Sequence, residues 1–286
     1  MHKFTFIFMF FGLNFGVFAQ INMGDETAKR LIDKELIFIK TGDSLVDSFL
    51  KEAVEIKWRF NPSVYFTDWK MSEEMVKESP NTYVRMKLQL ITGVMVTTST
   101  FAGMTSTVSE KNYGDMYKLL YFEDSPNRVF ETSLASNFEI SEGVLIEGVQ
   151  RACNVIENIV LFGSWNKFFL KSNGAAQLKE LTLLIPNELV GSEEDKEEMK
   201  KMYAYKMEFL PLSEIYEKIK GSEENYAYLV SSEESVGVHI FYICKTNNSQ
   251  KLCHAYKTFQ TMDSITKAGV DTLDTKFFKK LISDVK

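Results

Sequence analysis

"LIFIKTGDSLVDSFLKEAV", residues Leu36 to Val54, is the stretch on which the reading of this chain turns. A continuous apolar run, Leu36 to Lys40, reads as a short buried strand, and a glycine-containing turn follows it. Asp43 or Ser44 then offers a side-chain oxygen to the first free amides of a helix. Leu45, Val46, Phe49, Leu50, Ala53 and Val54 fall at helical spacing, so one face of that helix is apolar. Strand, cap, helix: this is the opening of an α/β unit.

Downstream the pattern continues with a strand around Ser63 to Thr67, a short helix begun by Ser72, a stop at Pro80 and a strand after Asn81. The same order recurs later. "LTLLIP" is a strand, and Ser192 caps "EEDKEEMKKMY", whose first turn carries the carboxylates that suit a helix N-terminus. "AYKMEF" is the next strand. Ser213 caps "EIYEKIK", Gly221 stops it, and "NYAYLV" is the third strand. Each half then shows a hairpin, "YKLLYF" with "RVFETS" and "HIFYIC" with "KLCHAY", and a helix follows each, at 142–161 and 274–284. The fold class is therefore α/β, with two tandem β-α-β-α-β-hairpin-helix units at 20–163 and 178–286 and a linker at 164–177. Right-handed crossovers would make the first three strands of each unit parallel.

One feature breaks the parallel. After Asn81 the first unit runs on through "YVRMKLQLITGVMVTTST", turns at "FAG" and returns as "MTSTVSE", where the second has only "LVSSEESVG". This reads as a Thr-rich β-hairpin inserted at about 86–110. An exposed strand edge accepts strands from other chains, so the hairpin is the candidate arm for an envelope partner.

Residues 1–19 have the layout of a bacterial secretory signal. "MHK" gives the positive start, "FTFIFMFFGLNFGVF" the apolar stretch, and "VFA" the site for cleavage after Ala19. The apolar block is short for a spanning helix, and no later segment approaches that length. The expected location is periplasmic or secreted. The net charge of −6, without clustered Lys or Arg, gives no footprint for nucleic acid.

Chemistry is sparse. Beyond the signal only His239 and His254 remain, with no metal-ligand spacing and no Gly-x-Ser-x-Gly elbow. "KTGDS" sits between a strand end and a helix, but its single glycine reads as part of a cap rather than a phosphate cradle. No cofactor is implied. Ring-bearing joints at Trp58 with Phe60 and at Tyr203 with Tyr205 suit core closure first and ligand stacking second. Asn81 and Asn225 suit left-handed turns before ligand contacts. A two-residue turn at Asn248–Ser249 would pair Cys244 with Cys253 and bring them to disulfide distance, leaving Cys153 a buried thiol on an apolar helical face. The function expected from these features is a non-enzymatic binding or scaffolding module. The alternative is an extracytoplasmic hydrolase using carboxylates in the cleft between units.

Overall fold

The computed structural model describes residue 29, residues 31–101, 104–122, 128–134, 140–162, 174–235, 238–258 and 273–283, and residue 285. The signal reading at 1–19 and most of the 164–177 linker lie outside these residues. In the first half the chain forms β1 (Glu35–Ile39), α1 (Ser44–Lys57), β2 (Val64–Thr67), α2 (Trp69–Glu78), β3 (Tyr83–Phe101), β4 (Met104–Phe122), β5 (Arg128–Ser133) and α3 (Glu142–Phe162). The protein is α/β. Its first sheet has the order β2-β1-β3-β4-β5, with β1 parallel to β2 and β3 and the rest antiparallel.

Local causes are clear in this half. Asp43 is the α1 cap, its carboxylate accepting from the amides of Leu45 and Val46, and Leu50, Ala53 and Val54 form the buried stripe. The next helix starts earlier than Ser72. Asp68 caps α2 by accepting from Met71 N–H, and Ser72 lies buried within the helix, its hydroxyl donating to the Trp69 carbonyl. The shorter Asp-x-x reach at 68 supplies the cap before Ser72 can, because an Asp just ahead of the first turn meets the orphan amides first.

The second half contains α4 (Gly174–Gln177), β6 (Thr182–Pro186), α5 (Glu193–Met202), β7 (Met207–Leu210), α6 (Leu212–Lys220), β8 (Tyr226–Ser235), β9 (Val238–Lys245), β10 (Lys251–Thr258) and α7 (Thr275–Leu281). Its sheet has the order β7-β6-β8-β9-β10, again parallel on both sides of the first strand, β6, and antiparallel beyond β8. The registers correspond: Glu35 sits opposite Tyr83 as Thr182 sits opposite Tyr226, and Leu36 opposite Val64 as Leu183 opposite Met207. Ser192 caps α5 by accepting from Asp195 N–H. Ser213 does not cap α6. That helix begins at Leu212 after Pro211, and the Glu188 carboxylate, reaching from the turn after β6, accepts the Leu212 amide at 3.0 and 3.1 Å.

Packing joins the halves asymmetrically. Helix α3 lies against α1 of its own half and against α6 of the other. One core therefore runs from Leu36, Phe38 and Met86 through Val149, Cys153 and Ile156 to Ile215, Ile219, Tyr228 and Tyr242. A second core fills the far face of the second sheet, where Leu183, Ile185, Phe241 and Ile243 meet Met199, Phe277 and Phe278. The contact of α3 with α6 is close. A Cβ on Gly143 would stand 2.3 Å from the Tyr216 ring, so only glycine fits there.

Strands β3 and β4 do not stop with their sheet. Pairing of β1 to β3 ends at Ile39–Lys87, and pairing of β5 to β4 ends at Lys118–Ser133. Among the described strands, Leu90–Phe101 and Met104–Tyr117 pair only with each other, with register shifts at Thr92/Val94 and Thr97/Thr98. At roughly 3.4 Å per residue this two-stranded ribbon reaches about 45 Å beyond the sheet. The inserted stretch expected at about 86–110 falls within these two strands. It continues β3 and β4, over Leu88–Phe101 and Met104–Tyr117.

Candidate functional site

The base of the ribbon is also the topological switch point of the first sheet. The chain leaves β1 through α1 to reach β2 on one side, while β3 flanks β1 on the other. Crevices of α/β sheets open at such points, beyond the carboxyl ends of the strands. Here one of about 370 Å³ is lined by Ile39, Lys40, Thr41, Asp43, Val46, Lys87, Leu88 and Gln89. Its loop is already satisfied. The amides of Thr41 and Gly42 donate to the Asp47 carboxylate at 2.7 and 3.2 Å, the Thr41 hydroxyl donates to it at 2.7 Å, and the Asp43 amide donates to the Thr41 hydroxyl oxygen at 3.1 Å. Gly42, at φ 93°, provides the left-handed residue that aims those amides inward. Asp47 thus stands where a bound anion would stand, and the helix end is capped by Asp43. A phosphate would have to displace a resident carboxylate. What the crevice offers instead is an apolar floor with Lys40 and Lys87 beside it, at the first residue of an open strand edge.

The aromatic joints are placed for packing. Trp58 and Tyr203 both follow the last residue of their helices, each N–H still bonded to the carbonyl four residues back. Trp58 stands edge-on to Phe38 and Phe60, and Tyr203 to Tyr205 and Phe278. Polar tips are tied down as well. The Tyr203 hydroxyl donates to the Leu178 carbonyl at 3.1 Å. Trp58 Nε1 donates to Asn61, whose amide donates in turn to the carbonyls of Leu31 and Lys34. Leu31 precedes β1 by the same four positions by which Leu178 precedes β6, so the two rings solve one closure problem by two chemistries. The structure does not gather Trp58, Phe60, Tyr203 and Tyr205 into one pocket; the first two join one core and the last two the other.

Asn81 adopts φ 70°, the left-handed turn expected of it. Asn225 does not. In the second half Ser222 takes the left-handed position at φ 54°, while the Asn225 carbonyl accepts Thr182 N–H to start the β6–β8 ladder. The cysteine pairing is likewise corrected. Lys245 closes on Gln250 and the turn takes up residues 246–249, with Ser249 at φ 54°. Cys244 then sits opposite Lys251, a register shift follows, and Cys253 sits opposite Ile243. The two sulfurs belong to different cores, Cys244 to the inner and Cys253 to the outer, and no disulfide links them. A four-residue turn, rather than a two-residue one, is the physical reason. Cys153 is buried, its thiol directed at the Lys57 carbonyl.

Between the halves lies a polar network that the sequence reading passed over. Glu147 of α3 is fully buried and holds Arg151 through two contacts, at 3.1 and 3.2 Å. The Tyr228 hydroxyl donates to Glu147 at 3.0 Å and meets the Ser249 hydroxyl at 2.9 Å, and Gln150 donates to Ser249 and to the Thr246 carbonyl. Burial, followed by the charge of Glu147, raises the Tyr228 phenol well above its ordinary range. Lys57 crosses from α1 to the C-terminus of α6, donating to the carbonyls of Ile219 and Lys220 and to Ser222. Glu147, Gln150, Arg151, Asn154 and Asn158 recur at helical spacing along an otherwise apolar helix, which was the available signal.

As chemistry, this network is structural. Among the side chains whose burial is described Glu147 is the one fully buried carboxylate, and a guanidinium neutralises it. Glu52 and Glu142, which face each other across the rim, both bind Lys220, whose ammonium they hold above its ordinary pKa. No group of three or more His, Cys, Asp or Glu suited to a metal occurs among the described residues, and no described helix is long and apolar enough to cross a membrane. No family model matches this chain, and neither curated proteins nor solved structures give a match.

Proposed function

We propose that this chain is an exported, non-enzymatic binding or scaffolding module of the cell envelope, and that the β3–β4 ribbon is its binding arm. The observation that carries the reading is the end of sheet pairing at Lys87 and Lys118, beyond which both ribbon edges meet no described strand. A two-stranded ribbon has little stability of its own in water, and its outward N–H and C=O groups pair readily with an added strand. Export rests on the charge, apolar run and small-residue site of residues 1–19. The hydrolase alternative has less support, because the buried carboxylate between the halves is already paired and hydrogen-bonded.

The test compares the mature chain with a variant in which an Asn-Gly turn joins the paired residues Leu90 and Tyr117. Both should fold alike by circular dichroism and thermal melting, since no described strand other than β3 and β4 pairs with the removed segment. The intact chain should form a specific complex, with itself or with an envelope component, that the shortened chain does not form. Equal association by both chains refutes the arm.

A further inference from the structure

Resting on the reading of the ribbon as a binding arm, we infer that its partner is a second copy of this chain, paired antiparallel along the open edge of β3 about a two-fold axis. Three observations carry this. First, the slot is defined: beyond Lys87 no described strand lies on the β1 side of β3, so Leu88–Phe101 presents one continuous edge that begins where β1 ends. Second, residues 88–109 contain no charged residue and no proline. Those are the devices by which exposed edges are kept from pairing with their own kind, and by which a foreign partner would be selected. Third, the two edges differ. The β4 slot, Met104–Tyr117, carries Glu110, Lys111 and Asp115, whereas the β3 slot carries no charge at all, so β3 is the edge that can meet its own copy without juxtaposing like charges.

The geometry follows from the slot. Antiparallel pairing of identical strands is isologous and closes at two copies. Near-full overlap sets Val94 opposite the partner's Val94, with the axis between them, and Leu88 opposite the partner's Thr100, and adds roughly fourteen interstrand hydrogen bonds by the antiparallel pattern. The merged ribbons form a four-stranded sheet, past the two-strand limit of independent stability. The same overlap carries the tip of each ribbon to the other copy's crevice, at Ile39–Asp43 and Lys87–Gln89. That crevice therefore bounds the slot rather than serving a separate ligand.

Sedimentation velocity over a range of concentrations, combined with pulsed EPR distances, tests the pairing. The mature chain should pass from monomer to dimer as concentration rises, and the Leu90–Tyr117 shortened chain should stay monomeric. Nitroxides on Val94→Cys and on Leu90→Cys, each in a Cys253→Ser background, should report intermolecular distances of about 15 Å or less and about 30 Å respectively. A mature chain that is monomeric at every concentration overturns the self-pairing, while a complex with another envelope component that needs the ribbon leaves the binding reading standing. A dimer that survives shortening overturns both. Assemblies larger than two, or a Leu90 label closer to its copy than the Val94 label, overturn the two-fold β3 arrangement.

Discussion

β3 with β4 and β8 with β9 occupy the same places in their sheets and differ in where they stop. β8 and β9 run over Tyr226–Ser235 and Val238–Lys245, against Tyr83–Phe101 and Met104–Phe122 in the first half. The shared part of each pair is held by a central parallel strand and a neighbouring antiparallel one, and its side chains feed the cores. The unshared part has no such neighbour among the described strands. The strands that continue past their shared neighbours thus belong chiefly to the first half. That contrast is the ground on which the binding arm is proposed.

Sharper tests of the contrast begin where the halves meet. Arg151→Met leaves Glu147 buried without its counter-charge and should cost about 3–5 kcal/mol in denaturant unfolding, whereas the double change with Glu147→Leu should recover most of that. At the half-exposed pair Arg59–Glu157, within the first half, Arg59→Ala should cost under about 1 kcal/mol. If the two pairs behave alike, the buried network does not hold the halves together.

Lys57→Met should cost about 1–3 kcal/mol, because the carbonyls ending α6 and the Ser222 hydroxyl lose their donor. It should also change the pH profile. Burial, with the nearby Arg59 charge adding to it, lowers the Lys57 ammonium from its ordinary 10.5 to about 8. Between those values the unfolded chain holds a proton that the folded chain has released, so this group's contribution makes stability rise with pH across that window. In Lys57→Met that contribution should be absent, as read from urea midpoints at pH 7.5 and pH 10. An unchanged profile would show that the cap carries no titrating charge.

The paired ring closures give a finer comparison. Asn61→Ala removes the acceptor of Trp58 and the donor to Leu31 and Lys34, and should cost about 1–3 kcal/mol. Tyr203→Phe removes one hydrogen bond, to Leu178, and should cost about 1 kcal/mol. The reverse ranking would separate the two joints that share a place in the fold. Smallest in energy is the thiol test. Burial pushes Cys153 and Cys244 each up to about 12, so in the folded protein only the half-buried Cys253 should react with a maleimide near neutral pH. Unfolded without reductant, the chain should show three thiols; one would restore the Cys244–Cys253 bridge that the register argues against.

Much of this was legible from residue order, and the reasons are local. The apolar run at Leu36, the carboxylate at Asp43 and the hydroxyl at Ser192 act within a few residues of themselves, so strand, cap and helix could be named from sequence. The α/β class followed from their alternation. Errors arose where a partner came from further away. Glu188 caps α6 across twenty-four positions in place of Ser213, and a turn two residues longer than expected moved Cys253 off Cys244. Tertiary structure alone decided that α3 would lie between α1 and α6, because an apolar helix carries no mark of which neighbour will cover it. It also decided what the polar stripe on α3 was for: Glu147, Gln150 and Arg151 are costly in a core until Tyr228, Thr246 and Ser249 arrive from about a hundred residues away to satisfy them. And it decided the ribbon, since a strand's composition does not say where its neighbours end; only the sheet, closing at Lys87 and Lys118, leaves the next fourteen or so residues of each strand with no described strand beside them but each other.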